Sequence, residues 1–211
     1  MRTYLTVYFG TVIVAMFLVP IVSRVARFYH FVDEPGPRRV HQYAIPRIGG
    51  IAIFLSVFTL VVPLFFLNNT IGQYFRGSQI EFVTLLIAAA FVFIIGLIDD
   101  LHPVPGKIKL LCIIGASLAI CASGATISNI SLGKSFHLQT GLAAWPLTIF
   151  WIVVITVCIN LIDGLDGLAA GIAAIVCGSL VLLAFWSNQS GITVLMLALL
   201  GGVTGFIFFN F

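Results

Sequence analysis

The chain has 211 residues, of which 61% are hydrophobic and 8% charged, with a mean hydropathy of +1.18 and a formal net charge of +3. Soluble domains average about 25% charged residues, so this composition describes a polytopic membrane protein with no room for a separate soluble domain. The positive charge is too small and too dispersed to support binding of nucleic acid.

Apolar runs of spanning length, about 17 to 25 residues, occur at 4–23, 48–67, 81–98, 110–125, 142–159, 168–186 and 192–209. The expected fold is all-α, a polytopic membrane bundle of about seven transmembrane helices, forming a single transmembrane domain over 1–211. The first run lacks a basic leader beyond Arg2 and a small-x-small cleavage site, so it reads as an uncleaved helix. With the N-terminus outside, Arg24, Arg27, Arg38, Arg39, Arg47, Lys107 and Lys109 are cytoplasmic, and Arg2, Arg76 and Lys134 are not. That distribution obeys the positive-inside rule. Asp33, Glu34, Asp99, Asp100, Asp163 and Asp166 fall on the same inner side, leaving only Glu81 outside. Acids carry little weight in the topology rule, so their concentration needs another cause, and a cytoplasmic active site is the simplest. Cys112, Cys121, Cys158 and Cys177 lie in apolar stretches without a C-x-x-C pair and read as small packing residues.

The first inner segment, 24–47, contains D-E-P-G-P-R-R-V-H and then I-P-R-I-G-G. Pro35, Gly36 and Pro37 enforce a turn, after which Arg38, Arg39, His41 and Arg47 offer a cluster of donors. Guanidinium forks match phosphate oxygens at two points; the alternative is a basic loop that serves only to set orientation. In the second inner segment, G-L-I-D-D-L-H-P-V-P-G-K-I-K, Asp99 and Asp100 close the third span. Adjacent helical residues point about 100° apart, so one can face a metal while the other meets a different partner. Acids at a helix C-terminus oppose its dipole, and a compensating cation, Mg²⁺ or Lys107 or Lys109, is expected. Two like charges so close raise one pKa, which suits a proton acceptor; a solvated helix end is the plainer reading. His102 reads as an interface histidine. Between the fourth and fifth runs, 127–140 alternates apolar and polar residues around Gly133-Lys134, the pattern of a short outer β-hairpin with His137 facing solvent.

The third inner segment, N-L-I-D-G-L-D-G-L-A-A-G, sets an amide and two carboxylates three residues apart in nearly pure hydrocarbon. A charge within the bilayer costs at least about 2.5 to 3.5 kcal/mol. If the segment is helical, Asn160, Asp163 and Asp166 share one face. Gly164, Gly167 and Gly171 would then admit a neighbouring backbone or a substrate. Hard oxygens beside an open surface suit Mg²⁺, which binds through one or two carboxylates and keeps positions for phosphate oxygens. The competing reading is a polar cap that ends one membrane helix and begins the next. Carboxylates, lysines and an Arg/His loop at one end of a lipid-exposed bundle suggest chemistry on a diphosphate with one membrane-bound reactant. A transporter with a carboxylate ion or proton site is the rival, but transport sites tend to sit near mid-bilayer on broken helices.

These motifs, in this order and spacing, resemble the polyprenyl-phosphate N-acetylhexosamine-1-phosphate transferases, of the glycosyltransferase 4 type. The first motif looks like the branch that transfers N-acetylglucosamine 1-phosphate to undecaprenyl phosphate. The resemblance implies a UDP-sugar and polyprenyl phosphate as substrates, UMP as a product, and Mg²⁺, with Mn²⁺ as a substitute. It further implies the plasma (inner) membrane of a cell that builds an envelope glycan this way, with the active site on the cytoplasmic side; a homodimer stays open. By the same analogy Asp99 or Asp100 deprotonates or positions the lipid phosphate. Asp163, Asp100 and Asn160 bind the metal or nucleotide, and Lys107, Lys109, Arg38, Arg39, His41, Arg47 and Asp166 bind substrate and its phosphates. The family continues past the last span with a Gly-Asp-x-Gly-Ser segment and a His-rich loop, so the chain reads as an N-terminal part, and a noncatalytic fragment is a further alternative.

Overall fold

A computed structural model describes residues 2–29, 32–33, 45–46, 48–68, 70–132, 136–163 and 167–209. Its internal contacts divide the chain into two compact units, Met1–Gly77 with Ile162–Phe211, and Ser78–Leu161.

The first unit is built on α1 (Arg2–Phe28), α2 (Gly50–Val61), α3 (Thr70–Gly77), α7 (Leu168–Trp186) and α8 (Ser190–Ile207). On α1, Val7, Thr11, Ala15, Val19, Val22 and Ala26 are buried, a spacing of three and four that marks one helical stripe. On other sides of the helix Phe9, Ile13 and Phe17 are exposed, as expected where the surrounding solvent is lipid. Lipid tails are as apolar as leucine, so close packing must hold such helices together. Glycines on α8 provide it. A Cβ placed on Gly201 would stand 2.6 Å from the Tyr8 carbonyl oxygen, and one on Gly205 would stand 2.7 Å from the Ala15 Cβ. On the neighbouring edge of α8, a Cβ on Gly202 would meet the Ser56 Oγ of α2 at 3.0 Å. The buried hydroxyls along these seams are satisfied within their own helices, Thr11 donating to the Val7 carbonyl at 2.6 Å and Ser56 to that of Ile53 at 2.8 Å.

The second apolar run ends in a bend. After α2 comes a 3₁₀ turn, Val62–Phe66, with Pro63 at its start, and α3 is then turned by 93° from the preceding helical stretch. Arg76 stabilises this bend by donating through Nη1 to the carbonyls of Phe65, at 2.8 Å, and Leu67, at 2.9 Å. These are orphan acceptors at a helix end, which a cation serves well. Phe75 is fully buried and meets the Phe65 ring at 5.0 Å. Backbone pairing also joins β1 (Val32–Asp33) to β2 (Ile45–Pro46), antiparallel.

The second unit holds α4 (Gln79–Leu101), α5 (Gly106–Ala122), the antiparallel strands β3 (Asn129–Leu132) and β4 (Phe136–Gln139), and α6 (Ala144–Ile162) up to Leu161. Thr148 fastens the base of the β3–β4 ladder to α6. Its buried Oγ1 accepts from the Ile127 N–H at 2.9 Å and donates to the Ala144 carbonyl at 2.7 Å. Thr140 adds a second tie by donating to the Ile127 carbonyl at 2.7 Å.

Among the described residues five helices are long and apolar enough to cross a membrane, or six when the bent pair Gly50–Phe66 and Thr70–Gly77 is taken as one span. This is a multi-pass helical membrane bundle. Two of the seven expected spans are not among these five. The runs at 48–67 and 110–125 fall on shorter helical stretches, Gly50–Phe66 and the 17-residue α5, at the lower end of spanning length.

Candidate functional site

The turn between α4 and α5 carries most of the described chemistry. His102 N–H closes the end of α4 by donating to the Ile98 carbonyl at 2.7 Å. In the following Pro103-Val104-Pro105, both prolines lack an N–H, so Val104 has the only backbone donor of the three. That donor goes to Asp99 Oδ1 at 2.9 Å, while Lys109 Nζ, one turn into α5, reaches Asp99 Oδ2 at 2.8 Å. Both oxygens of this half-buried carboxylate therefore have a partner. Asp99 lies at the negative end of one helix dipole and Lys109 near the positive end of another, so each is unfavourably placed in its own helix. Their ion pair offsets both costs.

Asp100, the next residue, is exposed at the end of α4, the divergence that a 100° step requires. Lys107 is exposed in the first turn of α5, with no hydrogen bond or ion pair among the described residues. His102 is also exposed. Of the two lysines named as compensating cations, the structure brings Lys109 to the carboxylate. The sequence holds the reason: Lys109 and Asp99 are brought together by a four-residue connection, 102–105, with two prolines. The part of Val104 was missed, although an isolated N–H between prolines is a readable signal.

The Asn160 motif is not one continuous helix. Helix α6 ends at Ile162, Asp163 begins a turn, and α7 starts at Leu168 after Gly167, whose φ of +70° places it in the left-handed region. Glycine adopts that conformation without the Cβ penalty other residues carry, which suits the position just before the first turn of α7. A single helix therefore does not run through the motif, since α6 ends before Asp163 and α7 begins after Gly167; Asp166, the third residue of the expected stripe, lies outside the described residues. Gly171 does not receive a close neighbour, since a Cβ there would meet nothing within 4 Å. Asn160 is exposed on the last turn of α6. Asp163 keeps an exposed surface, yet enough protein surrounds its carboxyl that desolvation pushes its pKa above the usual carboxylate range. No ion pair or hydrogen bond to its side chain occurs among the described residues.

Arg38, Arg39, His41, Arg47 and Asp166 lie outside the described residues. Asp99, Asp100, Lys107, Lys109 and Asn160 belong to one unit and Asp163 to the other. Among the described residues no three or more His, Cys, Asp and Glu side chains converge into a metal cage. A desolvated carboxylate with no cation beside it among the described residues, as at Asp163, nevertheless fits a hard divalent ion, and Mg²⁺ commonly takes only one or two protein carboxylates.

The family model for glycosyl transferase family 4 matches residues 82–211. The chain belongs to that family. The matched region of this family 4 protein contains Asp99, Asp100, Lys107, Lys109, Asn160, Asp163 and Asp166, and leaves Arg38, Arg39, His41 and Arg47 before it. A probable undecaprenyl-phosphate N-acetylglucosaminyl 1-phosphate transferase of Bacillus subtilis is 34% identical over 204 residues, covering 95% of this chain and 54% of the relative. Two phospho-N-acetylmuramoyl-pentapeptide-transferases also match. That of Borreliella afzelii is 28% identical over 84% of this chain and 57% of its own length. That of Bacillus subtilis is 29% identical over 99% and 66%. The chain thus spans a little over half to two thirds of the length of these relatives.

Proposed function

We propose that this family 4 protein transfers an N-acetylhexosamine 1-phosphate, N-acetylglucosamine 1-phosphate in particular, from its UDP-sugar to polyprenyl phosphate, undecaprenyl phosphate being the expected lipid. The observation that carries the reading is the match along 95% of the chain to a relative named for that reaction. The charged α4–α5 turn at one end of lipid-exposed helices supports it. An oxygen of the lipid phosphate attacks the β-phosphorus of the UDP-sugar, the bond from that phosphorus to the bridging oxygen breaks, and UMP leaves. The products are UMP and a polyprenyl diphosphate sugar, the first lipid-linked unit of a cell-envelope glycan.

Chemistry of this kind rests on positioning and charge neutralisation. Asp100 is the carboxylate best placed to receive or orient the incoming lipid phosphate, and Lys107 the described cation best placed to neutralise it. Arg38, Arg39, His41 and Arg47 are assigned to the diphosphate because forked and basic donors suit its oxygens. Asp163, with Asp100 and Asn160, would hold Mg²⁺ or Mn²⁺. When bound, such an ion neutralises charge developing on the phosphoryl oxygens. In the membrane, seven spans with the N-terminus outside would set the three acidic segments on the cytoplasmic side of the plasma membrane, where UDP-sugars are made. A homodimer is compatible with the lipid-facing helices.

The test is release of UMP from UDP-N-acetylglucosamine by the full chain in polyprenyl phosphate micelles with Mg²⁺. Asp100→Asn and Asp163→Asn are each expected to reduce turnover by at least about a hundredfold. Full turnover in both variants would refute the site. Gradient-driven solute uptake without any UMP would replace the transferase with a transporter.

A further inference from the structure

We infer that Asp99 and Lys109 do not touch substrate but act as positioning residues, a crosspiece that fixes where Asp100 and Lys107 stand. The inference rests on the transferase reading and divides the labour within that site. Four observations carry it. Both Asp99 oxygens are occupied, by Val104 N–H at 2.9 Å and Lys109 Nζ at 2.8 Å. One partner lies within the turn and the other beyond it, so the carboxylate ties the end of α4 both to the connecting loop and to α5. Asp99 is half-buried, whereas Asp100 and Lys107 are exposed. Lys107 has no partner among the described residues, whereas Lys109 is already committed.

Geometry explains why two adjacent acids serve different ends. On a helix the step from Asp99 to Asp100 turns the side chain by about 100°. Fixing one carboxylate against α5 therefore aims the other away from it. The same step operates on the lysines, where Lys109 faces Asp99 and Lys107, two residues earlier, lies on a different side of α5. If the crosspiece is lost, the α4–α5 turn shifts and Asp100 moves with it. A misplacement of about 1 Å costs up to about a hundredfold in rate.

The experiment is a double-mutant cycle in the full chain, read by UMP release and by thermal unfolding in detergent. Lys109→Gln and Asp99→Asn are each expected to lower kcat by about ten- to a hundredfold, with KM for the UDP-sugar unchanged within about twofold. The neutral pair Asp99→Asn with Lys109→Gln retains an acceptor for Val104 N–H and an amide-to-amide hydrogen bond across the turn. It is expected to recover most of the lost kcat, and the two substitutions to couple in Tm. Lys109→Arg should likewise recover most of what Lys109→Gln loses. A rise in KM of tenfold or more for Lys109→Gln, with no recovery in the pair, would show Lys109 holding the diphosphate directly and would overturn the inference. So would strictly additive effects on Tm. If the wild type released no UMP, the transferase reading would fall and the positioning role with it. A working wild type beside an unrescued pair would sink the positioning role alone.

Discussion

Substituting alanine for Gly205 tests how α8 is held in the first unit. The added Cβ would stand 2.7 Å from the Ala15 Cβ and 2.8 Å from the Val12 carbonyl oxygen, both on α1. Carbon atoms pack best at about 3.5 to 4.0 Å, so the two helices would have to part by roughly 1 Å along this seam. One obstacle is backbone and the other a Cβ with no rotamer to change, which leaves no local escape. Overpacking of this kind costs about 1 to 3 kcal/mol. The matched control is Gly178→Ala on α7, where a Cβ would meet nothing within 4 Å. There the substitution should gain up to about 1 kcal/mol from helix propensity. The assay is reversible unfolding in mixed detergent, followed by circular dichroism. Gly205→Ala should unfold at lower denaturing detergent than the wild type, and Gly178→Ala at the same or higher. If Gly205→Ala were as stable as the wild type, the close approach of α8 to α1 would be wrong.

Two further outcomes follow from particular side chains. Desolvation raises the Asp163 pKa in the folded protein, so the folded state binds this proton more tightly than the unfolded chain. The associated stability is fully present below the unfolded value of about 3.9 and is lost as pH rises through the raised folded value. Without divalent ions, Asp163→Asn should therefore increase Tm at neutral pH and lose that advantage in acid, and Mg²⁺ should stabilise the wild type more than the variant. An Asp163→Asn protein less stable than the wild type at pH 7 in chelator would contradict the burial argument. Thr148→Val keeps the shape of the side chain but leaves the Ile127 N–H without its acceptor. A loss of about 1 to 3 kcal/mol is expected, with faster amide exchange in the β3–β4 segment. Unchanged exchange there would show that Thr148 does not anchor it.

Much of the site could be read from charge in a hydrocarbon background. Asp99, Asp100, Asn160 and Asp163 stood out because an ionisable or amide group in an apolar run is costly without a purpose. The need for a cation beside the acids at the end of α4 followed from the helix dipole alone. Which lysine answers it did not, because Lys107 and Lys109 lie only two residues apart and only the path of the proline turn selects between them. The Asn160 motif shows the same limit. Its spacing fits one helix, but Gly167 takes a positive φ, and a glycine's conformation cannot be read from its neighbours when both a helix and a turn accept it.

By itself the sequence determined that this is a helical membrane protein, where its apolar segments lie, and which polar groups stand out among them. Those properties follow from composition and local order, since a bilayer admits only segments whose backbone bonds are satisfied internally. Tertiary structure decided the rest. It turned α3 away from the end of the second run beside Arg76, set the α8 glycines against α1 and α2, and gave Asp99 to Lys109. Each depends on which surfaces meet across long stretches of chain, and between apolar helices in lipid that choice is made by shape and hydrogen bonding rather than by hydrophobicity, which all of them share.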